Sequence, residues 1–170
     1  AATTEIDDAF SVQPLSLGSF RIGIHIAAPA LGILPGSQLD QIAARRLSTV
    51  YLPGKKITLL PDEVIQHFTL EEASYSPALS LYLDVSDDFT VMTQQSKIEM
   101  VQVVANLRHD SLEQLCNEEA LRRKVVDYPF AKELELLWNF AKKMETLRGK
   151  ENDINNEKID YSFLIDNEQV

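Results

Sequence analysis

The chain has 170 residues, 45% of them hydrophobic, enough for one domain with one sizeable core, and this excludes a disordered chain. Lys and Arg number 16 against 26 Asp and Glu, a net charge of −10, which excludes recruitment of nucleic acid by bulk electrostatics: any nucleic acid must be gripped locally. The single cysteine, Cys116, excludes an intramolecular disulfide framework and a Cys-rich zinc module, and it points to a reducing compartment, the cytoplasm.

The first ninety residues read as strands separated by turns. Short apolar or alternating runs at 9–12, 19–26, 57–60 and 79–85 are bounded by Gly, Pro, Asp or Ser, the signature of a sheet or small barrel. The longest apolar run, 22–34, is broken by His25, Pro29 and Gly32, so no membrane span is expected, and the stretch from Ala1 to Glu5 lacks the basic start of an export signal. Residues 37–47 differ. Ser37 is a suitable N-cap, and Leu39, Ile42, Ala43, Arg46 and Leu47 recur at helical spacing before the stretch from Ser48 to Gly54 ends the pattern. From Ser96 onward the spacing of Ile98, Val101, Val104, Ala105, Leu107, Leu112 and Leu115 predicts a helix. A further helix is expected over 130–147, with Leu134, Leu137, Trp138 and Ala141 on one side and Pro129 ahead of its first turn. Residues 159–165 alternate as a last strand, which enters a turn at Asp166 without an evident partner; this suggests a truncated unit.

Three places carry possible chemistry. Glu5, Asp7 and Asp8 are three carboxylates within four positions. Held together, they repel one another and are relieved by a hard divalent cation, magnesium or manganese, while the same spacing also suits a solvated acidic turn or an N-cap. The second place is Tyr51, in the loop that precedes Pro53 and Gly54 and is flanked by Arg45, Arg46, Lys55 and Lys56. A tyrosine there can stack on a nucleobase while the cations hold phosphates, or it can pack on its own core with the cations facing water. The third is the histidines. His25 lies inside an apolar strand and reads as a satisfied core imidazole, His67 follows a helix-like turn, and His109 next to Asp110 is an acid/base candidate. None has a zinc-type partner at i+3 or i+4, and Cys116 reads as packing.

Four blocks of residues resemble the catalytic RNB domain of the ribonuclease II family: 5–12, 22–27, 35–54 with Pro35-Gly36-Ser37-Gln38-Leu39-Asp40 and Val50-Tyr51-Leu52-Pro53-Gly54, and Leu60-Pro61. The resemblance is dense as far as Leu83 and thinner beyond. It implies a mixed α/β (α+β) fold, a barrel-like sheet with outer helices, of which residues 1–170 are an incomplete N-terminal half. It also implies a magnesium-dependent exoribonuclease that hydrolyses single-stranded RNA from the 3′ end to nucleoside 5′-monophosphates. On that resemblance Asp7 and Asp8 match the paired catalytic aspartates, Glu5 with them binds the metal, Tyr51 stacks on a base, and His109 stands where relatives place a tyrosine near the scissile phosphate.

The family pattern also includes a further aspartate ahead of the position of Glu5, a C-terminal half with an arginine-bearing segment, and flanking RNA-binding modules, which are expected partners of this chain. For the isolated chain, weak or no nuclease activity is expected. The rival reading is a non-catalytic RNA-binding or interaction module built on the same fold, which His109 and the Ala27-Ala28-Pro29 stretch after His25 favour.

Overall fold

Alternation of apolar and polar side chains over 8–14 and 20–27 produces two antiparallel strands, because a half-buried strand has a side-chain period of two. The computed structural model describes residues 5–52, 55–107, 112 and 128–149. In chain order the elements are β1 (Asp8–Pro14), β2 (Phe20–Ala27), α1 (Gln38–Arg46), β3 (Val50–Leu52), β4 (Lys55–Ile57), α2 (Asp62–Phe68), β5 (Tyr75–Val85), β6 (Val91–Gln102) and α3 (Ala131–Leu147). Four of the strands form one antiparallel sheet in the order β1-β2-β5-β6, and β3 pairs with β4 as a separate hairpin. The fold is mixed α and β, as expected. Among the described residues the sheet is open rather than closed into a barrel, with β1 and β6 as its edges.

Local chemistry sets the turns. Gly18 adopts a left-handed φ of 78° in the 3-10 turn between β1 and β2, closed by Leu15 N–H donating to the Ser19 carbonyl at 2.8 Å. Between β5 and β6, the Asp88 carboxylate accepts from Ser86 Oγ at 2.5 Å and from Thr90 N at 3.2 Å, an Asx-type turn. Ser37 caps α1 as expected, its hydroxyl accepting from Asp40 N at 3.2 Å.

The sheet buries one end of each face. On one face Phe20, Ile22 and Val85 pack against Phe140 of α3, with Ile24, Leu83, Leu136, Leu137 and Met144 around them. Each such side chain contributes roughly 1.5–3 kcal/mol when fully buried. On the other face, at the opposite end, Leu70, Ala78 and Val103 form a second cluster with Ile6, Ala9, Ala27 and Val101.

Three expectations change. Of the helix expected from Ser96 to Leu115, residues 96–102 are instead part of strand β6, paired with β5 through Tyr82↔Gln95, Ser80↔Lys97 and Ala78↔Glu99, while 108–111 and 113–115 lie outside the described residues. The strand expected over 57–60 ends at Ile57, and Leu60 is instead buried just ahead of α2. His67 lies within α2 rather than after a turn, edge-on to Phe68 with ring centroids 5.0 Å apart. The helix expected over 130–147 is present as α3, beginning one residue later because Phe130 has a left-handed φ of 62°. The strand expected at 159–165, together with His109, Leu115 and Cys116, lies outside the described residues.

Candidate functional site

Ahead of β1 the acidic stretch is pinned by backbone hydrogen bonds on both sides. Ile6 N–H donates to Thr69 Oγ1 at 2.8 Å, Leu70 N–H to the Ile6 carbonyl at 2.9 Å, and Ala27 N–H to the Asp7 carbonyl at 2.8 Å. Asp8 then opens β1 opposite Ile26.

The electrostatics reflect the crowding of these acids. Asp7 is exposed, yet its carboxyl is pushed above the ordinary carboxylate value, by partial desolvation first, then by the charge of Glu5 and then by that of Asp8; Lys56 acts in the opposite direction. Glu5 is committed to an ion pair, its Oε2 accepting from Lys56 Nζ at 2.9 Å. Lys56 is the register partner of Tyr51 in the β3–β4 hairpin. The hairpin that carries the tyrosine is thereby tied to the acidic stretch. Tyr51 itself is 73% exposed, so it does not pack on a core of its own.

Lys56 is the residue sequence reasoning misplaced. It reads as one cation of a basic flank facing phosphate or water, and no local pattern links it to Glu5, 51 positions away. Of the other flanking cations, Arg46 donates from Nη1 to the Thr58 carbonyl at 2.8 Å, and Arg45 and Lys55 are exposed.

The carboxylates suit a hard cation in donor type. They do not form a complete shell: among the described residues no three His, Cys, Asp or Glu side chains are grouped so that they could hold a metal ion. Glu5, Asp7 and Asp8 are neighbours in sequence, and Lys56 engages the first of them.

His25 takes the core role expected of it. It is 2% exposed, with Nδ1 2.8 Å from Ser80 Oγ and Nε2 2.9 Å from Ser11 Oγ. Gly23 makes this possible, since a Cβ there would meet Ser11 Oγ and stand 2.7 Å from His25 Nε2. Burial lowers the imidazole pKa from its ordinary 6.5, against the raising effect of Glu99. Nearby, burial of Glu99 is outweighed by hydrogen bonds from Lys97, Tyr82 and Ser80, which hold its carboxyl down at about 2. His25 thus fastens β1, and with it the acidic stretch, to β2 and β5.

Comparison with known proteins defines the class to which this sheet and its acidic edge belong. The family model for the RNB domain matches residues 1–170, and the chain belongs to the RNB domain family. Exoribonuclease 2 of Proteus mirabilis is 28% identical over 168 residues, covering 98% of this chain and 26% of that protein. The chain therefore spans about a quarter of the length of that curated relative, 26%. Among solved structures, Mycoplasma genitalium RNase R in complex with ribose methylated single-stranded RNA superposes with a TM-score of 0.72 at 18% identity, covering 88% of this chain and 23% of that one. Yeast Ssd1, a pseudonuclease, superposes with a TM-score of 0.68 at 20% identity, covering 84% of this chain and 16% of that one. At such identities the structural likeness establishes the fold alone. Among the described residues no helix is long and apolar enough to cross a membrane.

Proposed function

We propose that residues 1–170 are the N-terminal portion of a catalytic RNB domain, and that the polypeptide to which they belong hydrolyses single-stranded RNA from its 3′ end, with magnesium, in the cytoplasm. The observation that carries this reading is the Glu5–Lys56 ion pair, which ties the acidic stretch to the hairpin presenting Tyr51. A strand end rich in carboxylates and an exposed aromatic are then neighbours. The aromatic would stack on a base regardless of its identity, so the reading implies little sequence preference.

Asp7 and Asp8 are the residues we assign to the metal, with further ligands from outside the described residues. Bound there, magnesium would supply charge neutralisation at the scissile phosphate. The Asp7 carboxyl, raised by desolvation first and then by the charges of Glu5 and Asp8, is one that a bound cation would draw back toward ionisation. His109 we place beside the phosphate on resemblance to the family pattern alone.

The reading is tested on the intact polypeptide with RNA labelled at its 5′ end. Magnesium-dependent shortening from the 3′ end with release of nucleoside 5′-monophosphates is expected; shortening from the 5′ end, or none in the presence of metal, would overturn it. A second reading, a non-catalytic RNA-binding module, is favoured by one finding, the shared fold of the pseudonuclease Ssd1. RNA binding with no turnover under any divalent metal would select it.

A further inference from the structure

The β3–β4 hairpin stands apart from the four-stranded sheet and is held by only three register pairs, Val50↔Ile57, Tyr51↔Lys56 and Leu52↔Lys55. A two-stranded ribbon of that length is marginal in water, and burial does not fix it, since Val50, Tyr51, Leu52 and Ile57 are all exposed. Polar ties set its place. At its base Leu59 N–H donates to Thr49 Oγ1 at 3.0 Å and Arg46 Nη1 to the Thr58 carbonyl at 2.8 Å, both within the segment that runs from α1 through the hairpin. The Lys56–Glu5 pair instead reaches across to the acidic stretch, and Lys56 stands opposite Tyr51, so the two side chains leave the same face of the ribbon. The same pair bears on the metal. The Glu5 side chain is only 12% exposed and lies 2.9 Å from the ammonium. A divalent cation on Glu5 would either displace Lys56, leaving a partly buried ammonium without that partner, or sit beside it, positive against positive. No cage of carboxylates offsets this cost among the described residues.

We propose that Glu5 anchors Lys56 rather than ligating the metal, and that Lys56 is the positioning residue that holds the Tyr51 hairpin beside the acidic strand end, where RNA passes. The inference rests on the proposed function and deepens it, leaving the metal to Asp7 and Asp8. It departs from the expectation that Glu5 binds the metal together with its two neighbours. Lys56 then acts on RNA through Tyr51 and not by gripping phosphate. That difference fixes the sign of one comparison. Glu5→Gln releases the ammonium, which strengthens RNA binding if Lys56 grips phosphate and weakens it if Lys56 places Tyr51.

The test uses the intact polypeptide and needs no turnover. Glu5→Gln, Lys56→Met and the double variant are compared with the unsubstituted protein. The double variant removes the pair with no change in net charge and strands neither ion, which guards against a single variant failing to fold. Mn²⁺ binding, titrated by electron paramagnetic resonance, is expected to stay within about threefold in the double variant; a larger loss would make Glu5 a ligand and overturn the proposal. RNA binding is read by fluorescence anisotropy with a 5′-labelled oligoadenylate in the presence of a chelator. Each single variant is expected to weaken it about fivefold or more, the double variant no further, and neither substitution to add to the loss in a Tyr51→Ala background. Undiminished RNA binding in Lys56→Met, tighter binding in Glu5→Gln, or losses that add to that of Tyr51→Ala would each overturn it. Failure of the unsubstituted polypeptide to bind either Mn²⁺ or RNA would overturn the proposed function and this inference with it, whereas binding of both without the expected losses overturns the inference alone.

Discussion

Asp7 carries a carboxyl that its surroundings keep from ionising freely, and this has a measurable sign. A carboxylate whose folded-state pKa lies above its unfolded value favours the native state at low pH and loses that contribution as pH rises through the folded value. Asp7→Asn is therefore expected to raise Tm slightly at pH 7, with the gain vanishing in acid where Asp7 is protonated anyway; a lower Tm at pH 7 would contradict the desolvation and repulsion that raise its carboxyl. His25 has the opposite sign: its lowered pKa contributes stability above the ordinary 6.5 that is lost as pH falls through the folded value. His25→Ala strands two hydroxyls and opens a cavity, at a cost of about 2–4 kcal/mol by denaturant unfolding. Tyr51→Ala is expected to weaken RNA holding by the intact polypeptide by roughly 1–3 kcal/mol in a binding titration, and unchanged affinity would remove Tyr51 from the RNA path. The core role of His25 was legible because an imidazole inside an apolar strand must find partners in its neighbours. The Glu5–Lys56 pair was not legible, since it depends on how the hairpin folds back over 51 positions.

At the level of elements, the packing of α3 is the clearest energetic claim. Phe140→Ala removes the side chain that seals Phe20, Ile22 and Val85, and a loss of about 3–5 kcal/mol is expected from its unfolding curve. Strands β1, β2 and β5 and helices α1 and α3 could be read along the chain, because each combines a periodic apolar pattern with a recognisable stop such as Gly18, Ser37 or Pro129. Strand β6 could not. Ile98, Val101 and Val104 stand at helical spacing, but Val101 joins the buried cluster while Ile98 is exposed on the opposite face of the sheet. Two apolar faces on one strand mimic a helical stripe. Pairing with β5, through Tyr82 Oη donating to Glu99 at 2.7 Å and Thr93 Oγ1 to Asp84 at 3.0 Å, decides the matter from a distance.

For the whole molecule, a family match over all 170 residues coexists with a span of only 26% of Proteus mirabilis exoribonuclease 2 and with no three-ligand metal group among the described residues. Residues 1–170 alone are accordingly expected to show weak or no nuclease activity and weak RNA affinity. Robust metal-dependent RNA trimming by the purified chain would show that its own side chains suffice. On the proposed function, the acidic balance is consistent with recruitment of RNA by basic surfaces outside these residues. The central claim is that this chain contributes Asp7 to an RNA-hydrolysing metal site. Single-turnover hydrolysis of 3′-terminal nucleotides by the intact polypeptide and its Asp7→Asn variant, with RNA binding measured in parallel, tests it most directly: turnover should be abolished with binding largely retained, whereas undiminished turnover in the variant would contradict the assignment.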